Sequence, residues 1–278
     1  MFHVKQIQCT SEELTGSIDR MFHVKHGEGR RSEARSSVRA SKDLDALVAG
    51  ALELGVSLTT AQAEQLLRHL ELVQQHAQRV NLTTIKDKDV AILAHIVDSL
   101  AVLAYLEDLR SGDTIADIGS GAGYPGIPIA IVGKSPVTLI ESVGKKSSFL
   151  EVVRVELGLH DRLAVLGARA EEVPESLSGS FQAVTARALT SLPSLVELAS
   201  PLLAMGGRLV AMKGRPDQSE SDSGAAACAS VGMRPAGRFD YSLPALDHAR
   251  SIFIYERCGN PSRVLPRRTG MAQRRPLA

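Results

Sequence analysis

A chain of 278 residues that is 44% hydrophobic and 23% charged has the make-up of a globular protein with room for one large or two small cores. Aromatic residues make up only 4% and tryptophan is absent, which disfavours a ring-rich surface for stacking bases, and no apolar run approaches the roughly 18 residues of a membrane helix. A net charge of +1 conceals an asymmetry: six arginines and no acid lie between Arg257 and Ala278, so the remainder is net acidic.

The N-terminus lacks a signal-type apolar core, so a cytoplasmic location is expected. Cys9, Cys228 and Cys258 are odd in number and lack C-x-x-C spacing, which argues against a disulfide framework and a zinc knuckle; no metal is expected. The chain opens on two near-identical words, MFHVKQ at Met1 to Gln6 and MFHVKH at Met21 to His26, whose flanks share nothing and so give no repeating unit. GRRSEARSSVRASK, Gly29 to Lys42, is Arg- and Ser-rich, and residues 1–43 are expected to form a disordered extension.

From Leu44 the pattern becomes helical. SLTTAQAEQLLRHLELV puts Leu66, Leu67, Leu70 and Val73 on one face, and Thr59 with Gln62 has capping-box spacing. A second helix is expected over DVAILAHIVDSLAVLAYLEDL, completing a helical subdomain at 44–110. In it, His95 and Asp98 are spaced i, i+3, a pattern that fits a buried hydrogen-bonded histidine better than a metal pair. After Asp113 short β-rich runs take over: TIADIG, VTLIES, LAVLGA, FQAVTAR, GRLVAMKG and SIFIYER. IPIAIVG, KKSSFLEVVRVELG and SLVELASPLLAMG between them supply crossover helices, which predicts a mostly parallel, doubly wound α/β sheet over 111–257 with ligands at the strands' carboxyl ends. Met233 to Arg257 reads as an antiparallel excursion at one edge, and 258–278 as a disordered basic tail.

The chemistry-bearing stretch is DIGSGAGYPG, Asp117 to Gly126, where the first strand turns into its helix. Gly121, Gly123 and Gly126 satisfy G-x-G-x-x-G, and Glu141 ends the next strand, so an NAD(P)-dependent oxidoreductase is a competing reading. Against a diphosphate stand the acid Asp117 and Pro125, which removes a loop amide. A phosphate-free, cationic cofactor such as S-adenosylmethionine suits the loop better, with Gly119, Gly121 and Gly123 admitting it and Glu141 accepting the ribose hydroxyls; Asp117 either meets its amino group or ties down the loop.

DIGSGAGYPGIPIAI, ESVGKKSSFLEVV, ARAEE, TARAL and MKG, with RVNLTTIKD and HIVDSLAVL upstream and LDHARSIFIYER at the end, closely resemble the RsmG/GidB family of bacterial small-subunit rRNA methyltransferases. The chain departs from the family at Gln75-His76, where a Trp-Asn pair is common, and at Tyr124, where Phe or Leu is common. The resemblance, from about Leu54 to Arg257, implies a Rossmann-like class I S-adenosylmethionine-dependent methyltransferase sheet with a helical N-terminal cap, acting on N7 of one guanine in the 530 loop of 16S rRNA or the small ribosomal subunit. It also implies cofactor contacts at Gly119, Tyr124, Glu141, Ala170, Glu171 and Arg187, and RNA phosphate contacts at Lys145, Lys146 and Lys213.

Guanine N7 carries a lone pair and no proton, so its methylation needs positioning rather than a general base. The sequence agrees in having neither an Asn-Pro-Pro-Tyr loop nor a Pro-Cys nucleophile. Arg187 is the candidate for orienting the site, and a non-catalytic RNA-binding protein of the same fold is the other alternative. The opening hexapeptides acquire a meaning in DNA: ATG TTT CAC GTG AAA CAT encodes MFHVKH and equals its own reverse complement. Two-fold symmetric DNA-binding proteins read such sites. Genes of this family commonly neighbour chromosome-partition genes, so the repeat is expected to be a translated partition-protein site.

Overall fold

The computed structural model describes residues 41–243, 246 and 249–277; both hexapeptides and the basic stretch up to residue 40 lie outside the described residues. Helix α1 occupies residues 41–53. Helix α2 (Thr60–Val80) starts on the expected capping box: Thr59 Oγ1 accepts from the Gln62 amide at 3.2 Å, and Gln62 Oε1 accepts from the Thr59 amide at 3.0 Å. Asn81, in the left-handed conformation at φ 53°, ends it. Leu66, Leu70 and Val73 are fully buried, as the apolar periodicity of this stretch requires.

The second expected helix is not one regular rod. It consists of α3 (Lys88–Ala91), capped by the Asp87 side chain on the Val90 amide, a π-helical stretch (Ile92–Val97), α4 (Asp98–Leu100) and a 3-10 turn (Leu103–Tyr105). A π turn inserts a residue into the helical repeat and rotates every later side chain about the axis, so apolar periodicity does not reveal it. Here the π-helical stretch includes His95.

Among the described residues seven strands form one sheet: β1 (Ile115–Ile118), β2 (Val137–Ile140), β3 (Leu163–Leu166), β4 (Phe181–Arg187), β5 (Leu203–Lys213), β6 (Met233–Ser242) and β7 (Ala249–Arg257). Their order is β3-β2-β1-β4-β5-β7-β6. The first five are parallel, and β7 runs antiparallel between β5 and β6, so the expected edge excursion is present. The sheet reverses direction of growth at β1 and β4, the place where an open α/β sheet leaves a crevice for a ligand.

Helices α5 (Gly126–Val132) and α6 (Gly144–Glu156) follow β1 and β2. Helix α7 (Leu192–Ala199) stops earlier than its sequence pattern suggests, because Pro201 cannot continue it, and β5 already begins at Leu203. Helix α8 (Gln218–Val231) precedes β6 and has no strong counterpart in the pattern. Alternation along the strands builds two cores: Ile115, Val137 and Leu139 face α2, α5 and α6, whereas Ala116, Ile140 and Val184 face α7 and α8.

Residues 258–277, expected as a solvated arm, are laid against the molecule. The Cys258 and Gly259 amides both donate to Gly232 O at 3.0 Å, and Ala272 and Leu277 join the α7-side core. The physical reason is an ion pair hidden from a composition count. Arg267 donates twice to Glu197, at 2.5 and 2.6 Å, and that glutamate is only 3% exposed on a wholly buried helix.

Candidate active site

The glycine loop joins β1 to α5 at the carboxyl end of the sheet. Gly119, Gly121 and Gly123 have φ of 67°, 57° and 93°, values that side-chain-bearing residues rarely adopt. Gly123 is doubly constrained, since a Cβ there would overlap Ile127. At Gly121 the space is open: an added Cβ would come no nearer than 3.8 Å to Gly119 O, so the loop has a free concave side.

Glu141 closes the loop from β2. Its Oε2 accepts from the Gly121 amide at 2.9 Å and its Oε1 from the Val143 amide at 2.8 Å, in a setting 5% exposed. Each carboxylate oxygen retains a lone pair after these bonds. Asp117 behaves differently. Its side chain is fully buried beneath the loop, with Oδ1 accepting from Thr185 Oγ1 at 2.8 Å and Oδ2 from the Gly126 amide at 3.3 Å. Of its two possible roles, tying down the loop is the one its position allows, because β1 alternation turns residue 117 to the same side as Ile115, toward α5. Burial pushes its carboxyl up to about 6, against the pull of those hydrogen bonds.

Tyr124 faces the cap. Its ring stacks on His95 at 5.0 Å and 17°, lies 4.5 Å from the His69 ring, and has the Arg187 guanidinium 5.2 Å from its centroid. His69 Nε2 donates to Ala122 O at 2.8 Å, so α2 holds the glycine loop from above. Burial lowers the His69 pKa to about 4 and that of His95 to about 3, the latter helped by the positive charge of Arg187. Both rings are therefore neutral at physiological pH.

Arg187, the last residue of β4, reaches across to the cap. It donates to Ala94 O at 3.0 Å, to Asp98 Oδ2 at 3.1 Å and to His95 Nδ1 at 3.3 Å. His95 Nε2 in turn meets Thr83 Oγ1 at 2.7 Å. Asp98, 3% exposed, also accepts from Tyr241 OH at 2.8 Å and pairs with Arg250 Nε at 3.4 Å. Ala94, His95, Asp98, Arg187, Arg250 and Lys213 line a cleft of about 330 Å³ next to Ala188, whose φ of 51° is left-handed for a residue with a Cβ. Such a conformation costs about 1–2 kcal/mol and survives only where its surroundings impose it.

Lys213 lines the cleft with its charge already engaged, by Glu220 at 2.7 Å and Thr190 O at 3.0 Å. Lys145 and Lys146 sit in the first turn of α6 and do not line that cleft, and neither has a side-chain partner among the described residues. Ala170 and Glu171, on a 3-10 turn (Ala170–Glu172), line a separate small pocket with Gly119, Ile140 and Leu189. Three partners that sequence reasoning missed, Tyr241, Arg250 and His69, come from an edge strand, the next strand and the cap. Only the topology brings them together. Among the described residues no cluster of three or more His, Cys, Asp or Glu side chains is arranged to hold a metal, and no helix is long and apolar enough to cross a membrane.

Residues 62–238 match the family model described as rRNA small subunit methyltransferase G. Curated relatives called ribosomal RNA small subunit methyltransferase G include proteins of Leptothrix cholodnii, 41% identical over 65% of this chain and 83% of that protein, and of Deinococcus radiodurans, 36% identical over 82% and 90%. A third, from Dehalococcoides mccartyi, is 32% identical over 84% of this chain and the whole of its own length. Among solved structures, the [4+2]-cyclase SpnF shares the fold, with a TM-score of 0.50 at 15% identity over 73% of this chain and 98% of that one. The glycine loop, the Glu141 clasp and the cleft beside Arg187 are thus those of a member of the rRNA small subunit methyltransferase G family, to which this chain belongs.

Proposed function

We propose that the protein transfers the methyl group of S-adenosylmethionine to N7 of one guanine in the 530 loop of 16S rRNA, and that it does so in the cytoplasm. The observation that carries this reading is the Glu141 carboxylate, clasped to Gly121 at the carboxyl end of β2 with a lone pair left on each oxygen. That acceptor pair suits a ribose diol, which both cofactors carry; the acid Asp117 beneath the loop and Pro125, which removes a loop amide, disfavour a dinucleotide's diphosphate and favour S-adenosylmethionine. The bound cofactor supplies an electrophilic methyl on a sulfonium. Gly119, Gly121 and Gly123 give its methionine end close approach to the backbone, Glu141 would hold the ribose, and Ala170 with Glu171 would border the adenine.

The cleft beside Arg187 is the guanine's entrance on this reading. His95, which lines it, is a neutral ring with both nitrogens engaged, so it is no general base. N7 needs none; Arg187, held by Asp98 and Ala94 O, fixes the floor on which the base and the methyl are aligned. Arg250, Lys213, Lys145 and Lys146 are candidates for RNA phosphates, Lys213 by exchanging Glu220 for a phosphate. Asp117 and Tyr124 serve the loop from beneath and from the cap side.

Mass mapping of 16S rRNA from cells with and without the protein tests the proposal. A single 530-loop guanosine that gains 14 Da only when the protein is present supports it; an unmodified loop in both refutes it. For the N-terminal hexapeptides, outside the described residues, we infer that the gene carries partition-protein sites. Synonymous codons other than TTT, GTG and AAA at Phe2, Val4 and Lys5 would refute that inference.

A further inference from the structure

The small pocket bordered by Gly119, Ile140, Ala170, Glu171 and Leu189 has one more wall, and it comes from the C-terminus: Gln273. This residue lies on α9 (Met271–Arg274), beyond the segment matched by the family model. Its surroundings are anchored at several points. Arg267 grips Glu197 with two hydrogen bonds, Ser194 Oγ donates to Ala272 O at 2.8 Å in a buried setting, and Ala272 and Leu277 are in the core. Two anchors fall on the pocket's own turn: the Gly270 amide donates to Glu171 Oε1 at 2.8 Å, and Thr269 Oγ1 donates to Glu172 Oε1 at 3.0 Å. Amid these commitments the Gln273 side chain is exposed and has no polar partner among the described residues.

We propose that residues 259–277 form a strap across the adenine side of the cofactor pocket, and that Gln273 is a specificity-determining residue whose carboxamide reads the edge of the adenine. A carboxamide presents a donor and an acceptor side by side, the complement of an adenine N6 amine beside a ring nitrogen. The anchors position the residue and spend none of its own hydrogen-bonding capacity. The strap bonds to Glu171 and Glu172, so filling the pocket also steadies the strap. The proposal rests on the reading that this pocket takes the cofactor's adenine.

Gln273→Ala is a surface change that leaves all of these anchors in place, so its unliganded melting temperature should match wild type. By calorimetry, S-adenosylhomocysteine should bind the variant about tenfold more weakly, as expected for loss of a net hydrogen bond or two. The counterpart that lacks the 6-amino group altogether should lose much less. Hydrogen exchange of amides 268–275 should slow when S-adenosylhomocysteine is added to the wild-type protein. Binding by Gln273→Ala within twofold of wild type, or exchange in 268–275 indifferent to the ligand, overturns the strap. Glu141→Ala separates the two possible failures: if it loses the ligand while Gln273→Ala does not, only the strap falls, and if it too binds normally, the cofactor placement falls and takes the strap with it.

Discussion

Asp117→Asn should make the protein more stable, and by an amount that depends on pH. In the unfolded chain this carboxyl ionises near 3.8, whereas burial under the glycine loop raises it to about 6 in the native state. The native state therefore holds a proton more tightly, and stability rises as pH falls from about 6 toward 3.8. Above pH 6 the ionised group carries its full burden, about 2 pH units at 1.36 kcal/mol each, or roughly 3 kcal/mol. The asparagine keeps a carbonyl oxygen for the Gly126 amide, and its amide can donate to Thr185 Oγ1, whose hydroxyl rotates to accept. Urea denaturation of both proteins at pH 8 and pH 5 reads the difference directly, with other titrations cancelling. The variant should gain up to about 3 kcal/mol at pH 8 and about half as much at pH 5. A variant equal to or weaker than wild type at pH 8, or a difference that ignores pH, would show that the hydrogen bonds outweigh the buried charge.

Gly123→Ala combines a left-handed backbone with overlap against Ile127, and should lower the unfolding free energy by about 2–4 kcal/mol in a denaturant titration. Arg187→Ala should leave the fold intact, with Asp98 still paired to Tyr241 and Arg250, and reduce rRNA methylation about hundredfold in a single-turnover assay because the cleft floor is no longer fixed; unchanged methylation and cofactor affinity would refute its role. His69 and His95, with pKa values lowered to about 4 and about 3, should show ring proton shifts in NMR that stay constant from pH 8 down to pH 5. Their sign is opposite to that of Asp117: the native state binds their protons less readily than the unfolded chain, so their contribution to stability is full above pH 6.5 and is lost as pH falls toward 3.

The sheet was legible because its strands carry apolar runs bounded by glycine and charge, and α2 because Thr59 and Gln62 announce its start. Other features hide from pattern reading for identifiable reasons. The α8 sequence QSESDSGAAACASV has small residues on every face, so its buried stripe of Gly224, Ala227, Cys228 and Val231 gives no contrast. The π-helical stretch Ile92–Val97 is a change of phase inside an otherwise convincing amphipathic run. In the site, the loop and Glu141 announced themselves through glycine spacing and the end of a strand. Asp117, by contrast, is an acid whose direction only strand alternation fixes, and Asp98 draws Arg187, Tyr241 and Arg250 from three distant stretches of chain. The arginine-rich C-terminus reads as solvated because composition cannot see that Glu197, seventy residues earlier, is buried and needs a cation.

Among the described residues the order of the sheet leaves β3 and β6 without a neighbour on their outer sides, and such an outer side is a row of amides and carbonyls that a foreign strand can pair with. Strand β3 answers by being only four residues long. Strand β6 is ten residues long and answers otherwise: Pro235 removes a donor, the register shifts between Pro235 and Gly237, and Arg234, Arg238 and Asp240 keep charge along it. A seven-stranded sheet protected in this way can stay unpaired at high concentration, and removing Pro235 together with those charges would turn a catalytic scaffold into a template for aggregation.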